Sequence, residues 1–177
     1  INAAFISVLG VDEFSDFIIN QLDGDGVNID YLRRLEGGRT QLCFVTLDDR
    51  GDRQFTGRGP DASLSFGVQD IKAAAFADSR VLMLSCGSLR TRQGVYAVER
   101  GIQLSPGGGC CDPGTCPPEW CDPQLMRRRL WGVFTRCELV KCADHETFWL
   151  TGEDDPLKAA QAFIQGGAKC AIVTLGA

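Results

Sequence analysis

Five stretches place polar or conformationally open residues directly after runs of β-forming residues. They are Gly10-Val11-Asp12, Cys86-Gly87-Ser88, Asp112-Pro113-Gly114, Lys141 through Glu146, and Thr174-Leu175-Gly176. In a mostly parallel sheet, ligands bind outside the carboxyl ends of the strands, so these are the candidate functional positions. The hydroxyl of Thr174 beside the open backbone of Gly176 suits phosphate contact. Neither a P-loop nor a GxGxxG fingerprint occurs, and Gly107-Gly108-Gly109 matches neither motif. Nine cysteines form a second candidate chemistry, denser at Cys110, Cys111, Cys116 and Cys121. Nine is odd, so they cannot all pair within one molecule. No CxxC knuckle is present and His145 is the only histidine. A cysteine-based metal or redox protein stays open beside the simpler reading of reduced thiols acting as small apolar fillers.

The elements that must carry these residues alternate between strand and helix. Phe5 to Gly10 reads as a core strand. Asp12 caps a helix with Glu13 in its first turn, and Phe14, Phe17, Ile18 and Leu22 repeat at helical spacing to Gly24 or Gly26. Residues 40–58 read as a hairpin, with turn chemistry at Asp48-Asp49-Arg50-Gly51. The alternation then resumes. A helix spans Val68 to Ala77, a buried strand Val81 to Ser85, and a helix Thr91 to Arg100 with Val95 and Val98 inward. Gln103 to Asp112 should be a strand, weakened by Pro106 and the three glycines. Asp122-Pro123 opens a helix with Leu125, Met126, Leu130, Val133 and Phe134 at core spacing. Glu138 to Lys141 is a short strand and Asp144 to Leu150 a short helix closed by Gly152. Asp155-Pro156 starts the last helix, with Ala159, Ala160, Phe163 and Ile164 inward, and Ala171 to Leu175 is a buried strand. Such βα units imply a mostly parallel sheet covered by helices.

The 177 residues suffice for one domain with a real core, and 44% are hydrophobic. A net charge of −5 argues against nucleic acid as the main partner. Arg127-Arg128-Arg129 reads as a solvated helix face. No apolar run is long enough to span a bilayer, so the expected location is cytoplasmic. A domain rarely begins and ends on interior strands. The chain does both, and the expectation is an internal piece of a larger α/β protein.

Several segments in order resemble the ribokinase/PfkB family of sugar kinases. Val8-Leu9-Gly10-Val11-Asp12-Glu13-Phe14 resembles the family's early GxDxFG segment. Gly26-Val27, Thr40, the hairpin and Phe55 through Leu64 resemble its lid region. Asp112 through Trp120 resembles DPNxRPxLW. Leu150-Thr151-Gly152 and Val173 through Ala177 match LTG and VTLGA. The run from Cys86 to Gly152 is most similar to bacterial fructokinases, with 2-dehydro-3-deoxygluconokinases next. The resemblance implies an α/β fold, a ribokinase-like three-layer αβα arrangement with a mostly parallel sheet and a β-hairpin lid, here incomplete. Residues 1–177 would be a partial kinase domain with its lid at about 40–58. The implied reaction is ATP-dependent phosphorylation of a sugar hydroxyl, fructose or a related sugar, with Mg2+. The family's catalytic aspartate and anion hole would follow Ala177, so the chain alone is expected to be inactive.

The resemblance also implies roles residue by residue. Arg58 would reach the sugar or its acidic group; an exposed lid arginine is the alternative. Gly57 stands where an aromatic residue is common. Gly87 and Ser88 would line the sugar pocket, or form a Gly-Ser turn without ligand contact. Asp112 would be the strand-end acid of the substrate site. Gly114 and Cys116 replace an Asn and an Arg near the phosphates, removing charge stabilisation. Glu146 would hold magnesium through water, with Ala143 at an Asn position; the alternative is a surface carboxylate favoured by the helix dipole. Thr174 and Gly176 would face the nucleotide. Lid hairpins of the family often pair between subunits, so a homodimer through the lid is expected, as is the alternative of a non-catalytic binding or dimerisation module.

Overall fold

The computed structural model describes residues 2–49, 51, 53–58, 61–114 and 122–176. The chain divides into two compact units, residues 1–70 and 71–177.

The first unit starts with strand β1 (Ser7–Gly10), helix α1 (Glu13–Gly24) and strand β2 (Leu32–Leu35), with β1 and β2 paired in parallel from Ser7↔Leu32 to Gly10↔Leu35. Asp12 caps α1 as its spacing predicts, in a reciprocal capping box with Ser15. The apolar repeat of α1 is not a buried stripe: Phe17 is 65% exposed and Phe14 is exposed beside it. Strand β2 escapes sequence reading because two arginines interrupt it. Arg33 donates to the buried Asp70 and to the carbonyl and hydroxyl of Ser65, and Arg34 pairs with Asp16. These partners let charged side chains occupy a strand.

The expected hairpin is present as β3 (Cys43–Leu47) and β4 (Arg53–Arg58), paired antiparallel with an irregularity at Cys43/Phe44. The Gly51 N–H closes on the Asp48 carbonyl at 2.9 Å, with Gly51 at φ +83°. The helix expected over Val68–Ala77 is instead two short 3-10 turns, Val68–Asp70 and Ala73–Phe76. The Asp70 carboxylate accepts the Gly67 N–H at 2.9 Å, a local bond that competes with continuous helix.

In the second unit four parallel strands stand in chain order: β5 (Leu82–Leu84), β6 (Gly109–Cys111), β7 (Cys137–Ala143) and β8 (Cys170–Thr174). Helices α2 (Arg92–Leu104), α3 (Pro123–Phe134), α4 (Asp144–Thr151) and α5 (Pro156–Gln165) connect them. Met126, Leu130, Phe134, Val140, Leu150 and Phe163 are fully buried between helices and sheet. Trp131, Phe134 and Phe163 pack together, with ring centroids 5.3–5.7 Å apart.

Two strands expected to be buried are not. Val81 and Met83 flank Leu82 in or before β5 and are exposed, as are Cys170 and Ile172 of β8. Both strands are edges of this sheet, and their alternate side chains turn away from the helix-covered core. Ile164 of α5, expected inward, is also exposed.

The unexplained Gly107–Gly109 stretch is the turn that starts β6. A Cβ on Gly107 would overlap the Arg80 carbonyl oxygen, and Gly108 lies at φ +73°. That close approach lets the Leu82 N–H reach the Gly108 carbonyl at 3.3 Å and aligns Gly109 with Leu82. Among the described residues no helix is long and apolar enough to cross a membrane.

Candidate functional site

The register of β5 to β8 brings their carboxyl ends into one row: Leu84 opposite Cys111, Cys111 opposite Val140, and Ala143 opposite Thr174. Four of the five candidate stretches therefore share one sheet edge. After β5 the chain forms a 3-10 turn, Cys86–Leu89, that exposes Gly87 and half-buries Ser88. The Cys86 N–H donates to the Pro113 carbonyl and the Asp112 N–H to the Leu84 carbonyl, both at 3.0 Å. The Gly87-Ser88 turn and Asp112 are thus stitched to each other.

Two residues to which the sequence assigns no site role hold this turn. The Arg129 guanidinium donates to the carbonyls of Leu89 and Arg90 at 2.7 and 2.9 Å. Gly94 lets α2 approach so closely that a Cβ there would overlap the Ser88 carbonyl oxygen. Arg127 donates to the Leu150 carbonyl at 2.9 Å, a carbonyl that Trp131 also binds. The run Arg127–Arg129 is therefore not simply a solvated face; two of its three members bind backbone carbonyls.

Lys141 stands in the strand-end stretch Lys141 through Glu146. Its ammonium donates to Asp112 Oδ2 at 3.0 Å, and that hydrogen bond raises the lysine pKa. A fixed cation and a carboxylate thus stand side by side at the ends of β7 and β6. Glu146 is only 5% exposed, so it is not a surface residue, but it stands in the first turn of α4 as the helix-dipole alternative expects. Its Oε2 accepts the Ala143 N–H at 2.8 Å and closes the first turn of α4. Thr174 donates to the Cys142 carbonyl at 3.4 Å, and Gly176 is exposed at φ +77°, where a Cβ would meet nothing.

Arg58 lies in the other unit. Its backbone ends β4 opposite Cys43, and its side chain is outside the described atoms. Residues 115–121, including Cys116 and the Pro117–Trp120 part of the family-like segment, lie outside the described residues. The first unit has its own open cleft of about 380 Å³, lined by Val11, Asp12 and Glu13 on one side and Glu36 through Arg39 on the other. Asp12 accepts the Thr40 N–H at 2.7 Å, which with the Ser15 N–H holds its pKa below the usual carboxylate value.

Cys86, Cys111, Cys137 and Cys142 are buried, and burial pushes the Cys142 thiol up to about 12. Among the described residues no group of three His, Cys, Asp or Glu side chains is placed to share a metal ion. Magnesium asks for less, since it is commonly held by one or two carboxylates together with substrate phosphates. A single buried carboxylate at Glu146, a lysine and an open glycine backbone match that pattern more closely than a protein-only metal cage.

The profile described as "pfkB family carbohydrate kinase" matches residues 1–177. A probable fructokinase-2 of Arabidopsis thaliana is 28% identical over 186 aligned residues, covering 98% of this chain and 54% of the relative. The structure of fructokinase from Xylella fastidiosa with bound ATP superposes with a TM-score of 0.84 at 28% identity, covering 98% of this chain and 55% of that one. Fructokinase from Vibrio cholerae O395, in a form with bound fructose, ADP and calcium ion, gives 0.86 at 25%, covering 99% and 58%. The chain therefore spans about half the length of the curated relatives it matches. The superpositions bear out the ribokinase-like fold expected from the ordered segments.

Proposed function

The chain belongs to the pfkB family of carbohydrate kinases, and from that membership we propose that it forms part of an ATP-dependent sugar kinase acting on fructose or a closely related sugar. One observation carries this reading: Gly87, Ser88 and Asp112, which the resemblance assigns to the sugar, and Thr174 and Gly176, which it assigns to the nucleotide, lie along one carboxyl edge of a parallel sheet. Arg58 of the hairpin is assigned to the sugar by resemblance. Bound MgATP supplies the phosphoryl group, and its metal offsets charge on the phosphates. Lys141 and the Gly176 backbone hold the anionic phosphates, and Glu146 orients the magnesium through water. Positioning and charge stabilisation are most of what such a site contributes. No residue of this chain is assigned as the proton acceptor. Two departures, Gly114 and Cys116 in place of Asn and Arg, weaken phosphate stabilisation. We therefore assign the 177 residues binding without turnover, in a cytoplasmic setting that keeps the thiols reduced.

Titration calorimetry tests this directly. MgATP and fructose are expected to give saturable heats, and a coupled ATPase assay to show no fructose-dependent turnover. Absence of heat with either ligand overturns the binding reading, and sugar-dependent turnover overturns the assignment of inactivity. 2-Dehydro-3-deoxygluconate in place of fructose decides between the two substrate classes.

A second reading, a dimerisation module, is favoured by the hairpin itself. It is a two-stranded sheet whose β3 strand is exposed along its whole length, with Phe44 at 63% and Leu47 at 67% exposed. Such an edge invites pairing with a second copy. Sedimentation of the chain and of Phe44→Asp checks it; a wild-type monomer at high concentration excludes it.

A further inference from the structure

Within the first unit, the hairpin departs from the β1–α1–β2 segment at a point where one side chain does two jobs. Asp12 Oδ1 accepts the Ser15 N–H at 2.9 Å, which caps α1, while Oδ2 accepts the Thr40 N–H at 2.7 Å, which begins the approach to β3. Thr40 is buried, and its hydroxyl in turn accepts the Gly10 N–H at 3.1 Å. The backbones pass so closely that a Cβ on Gly10 would lie 2.6 Å from the Thr40 nitrogen. On the returning side, the Ala62 N–H donates to the Arg39 carbonyl at 2.9 Å, so both feet of the hairpin are held. Ser15, fully buried, also accepts from Arg34 of β2 at 3.0 Å, which ties the same cluster to the parallel pair.

We infer that Asp12 is a positioning residue for the hairpin: its second carboxylate oxygen fixes the outgoing foot against the N-terminus of α1. The direction in which the hairpin leaves the βαβ unit is then set by one ionised side chain. Only a carboxylate offers acceptors in both directions. A helix cap needs one oxygen, and Asn caps as well as Asp does. In Asp12→Asn the oxygen can serve Ser15, but the amide NH2 then faces the Thr40 N–H, donor against donor. The role this gives Asp12 in sugar binding rests on the reading of the hairpin as a lid over the sugar.

Amide hydrogen exchange on the full chain separates the two jobs. Asp12→Asn is expected to speed exchange at Thr40 about tenfold, the loss of one bond to a charged acceptor. Amides of β3 loosen with it, while those of α1 stay protected. Asp12→Ser retains a capping hydroxyl but is too short to reach Thr40, so it gives the same split. Asp12→Ala loosens both α1 and Thr40. A folded Asp12→Asn or Asp12→Ser with Thr40 as protected as in the wild type overturns the inference. The lid reading fails separately: it requires fructose to slow β3 exchange in the wild type, and Asp12→Asn to abolish that slowing.

Discussion

Replacing Glu146 separates a structural role from a metal role on one carboxylate. Its Oε2 accepts the Ala143 N–H at 2.8 Å in a residue only 5% exposed. Glu146→Ala leaves that N–H without its charged acceptor, a loss of about 2 kcal/mol for a buried bond of this kind. Glu146→Gln keeps a neutral oxygen of the same reach. The neutral bond is weaker by roughly 1 kcal/mol, and that difference is the expected cost. Urea unfolding followed by tryptophan fluorescence reads both changes, since Trp131 and Trp149 pack against the core of this unit. The order of stability is wild type, then Gln, then Ala. Magnesium depends on the charge instead. MgATP affinity should fall alike in both variants, while magnesium-free ATP binds each as it binds the wild type. If Glu146→Ala unfolds at the wild-type midpoint, the capping argument is wrong. If Glu146→Gln binds MgATP unchanged, the carboxylate does not hold the metal.

Gly107→Ala drives a Cβ into the Arg80 carbonyl oxygen and should destabilise by about 1–3 kcal/mol, read as a lower urea midpoint. Gly132→Ala, inside α3 with nothing near its added Cβ, should instead stabilise by about 0.5–1 kcal/mol. Lys141→Met removes the ammonium that pairs with Asp112 and should weaken both ATP and fructose binding several-fold, measured by calorimetry, because the sugar-site carboxylate loses its partner as well. Because the folded pKa of Asp12 is lowered, its contribution is present above the unfolded carboxylate value near 3.8 and is lost as pH falls through the lower folded value. Thr40 exchange, corrected for intrinsic rates, should therefore accelerate only below pH 4. At pH 8 iodoacetamide should label Cys43 and Cys170 well before Cys86, Cys111 and Cys142, followed by peptide mass spectrometry. Early labelling of Cys142 would contradict its burial.

Much of this protein is legible in its linear pattern, because local chemistry there suffices. Asp12, Asp122 and Asp155 cap helices through side-chain bonds made within three residues, and Pro123 and Pro156 sit where a missing N–H costs nothing. Four of the five stretches that follow strands share a sheet edge, because parallel βα units leave their carboxyl ends on one side; the fifth, at Gly10–Asp12, belongs to the separate β1–β2 pair. What the pattern could not convey depends on partners distant in the chain. Strand β2 needs Asp70, 37 residues beyond Arg33, to accommodate its arginines. Lys141 acquires its place from Asp112, 29 residues earlier, and Arg129 braces a turn 40 residues before it. The glycines at 107–109 look like a fault in a strand until the carbonyl of Arg80 is seen against them. Periodicity also overstates burial: Phe17, Ile164 and Ile172 carry the right spacing, but only packing determines which apolar faces are covered. Local bonds thus set where each element begins and ends, whereas charge pairs, close backbone approaches and covered faces exist only once the strands stand side by side.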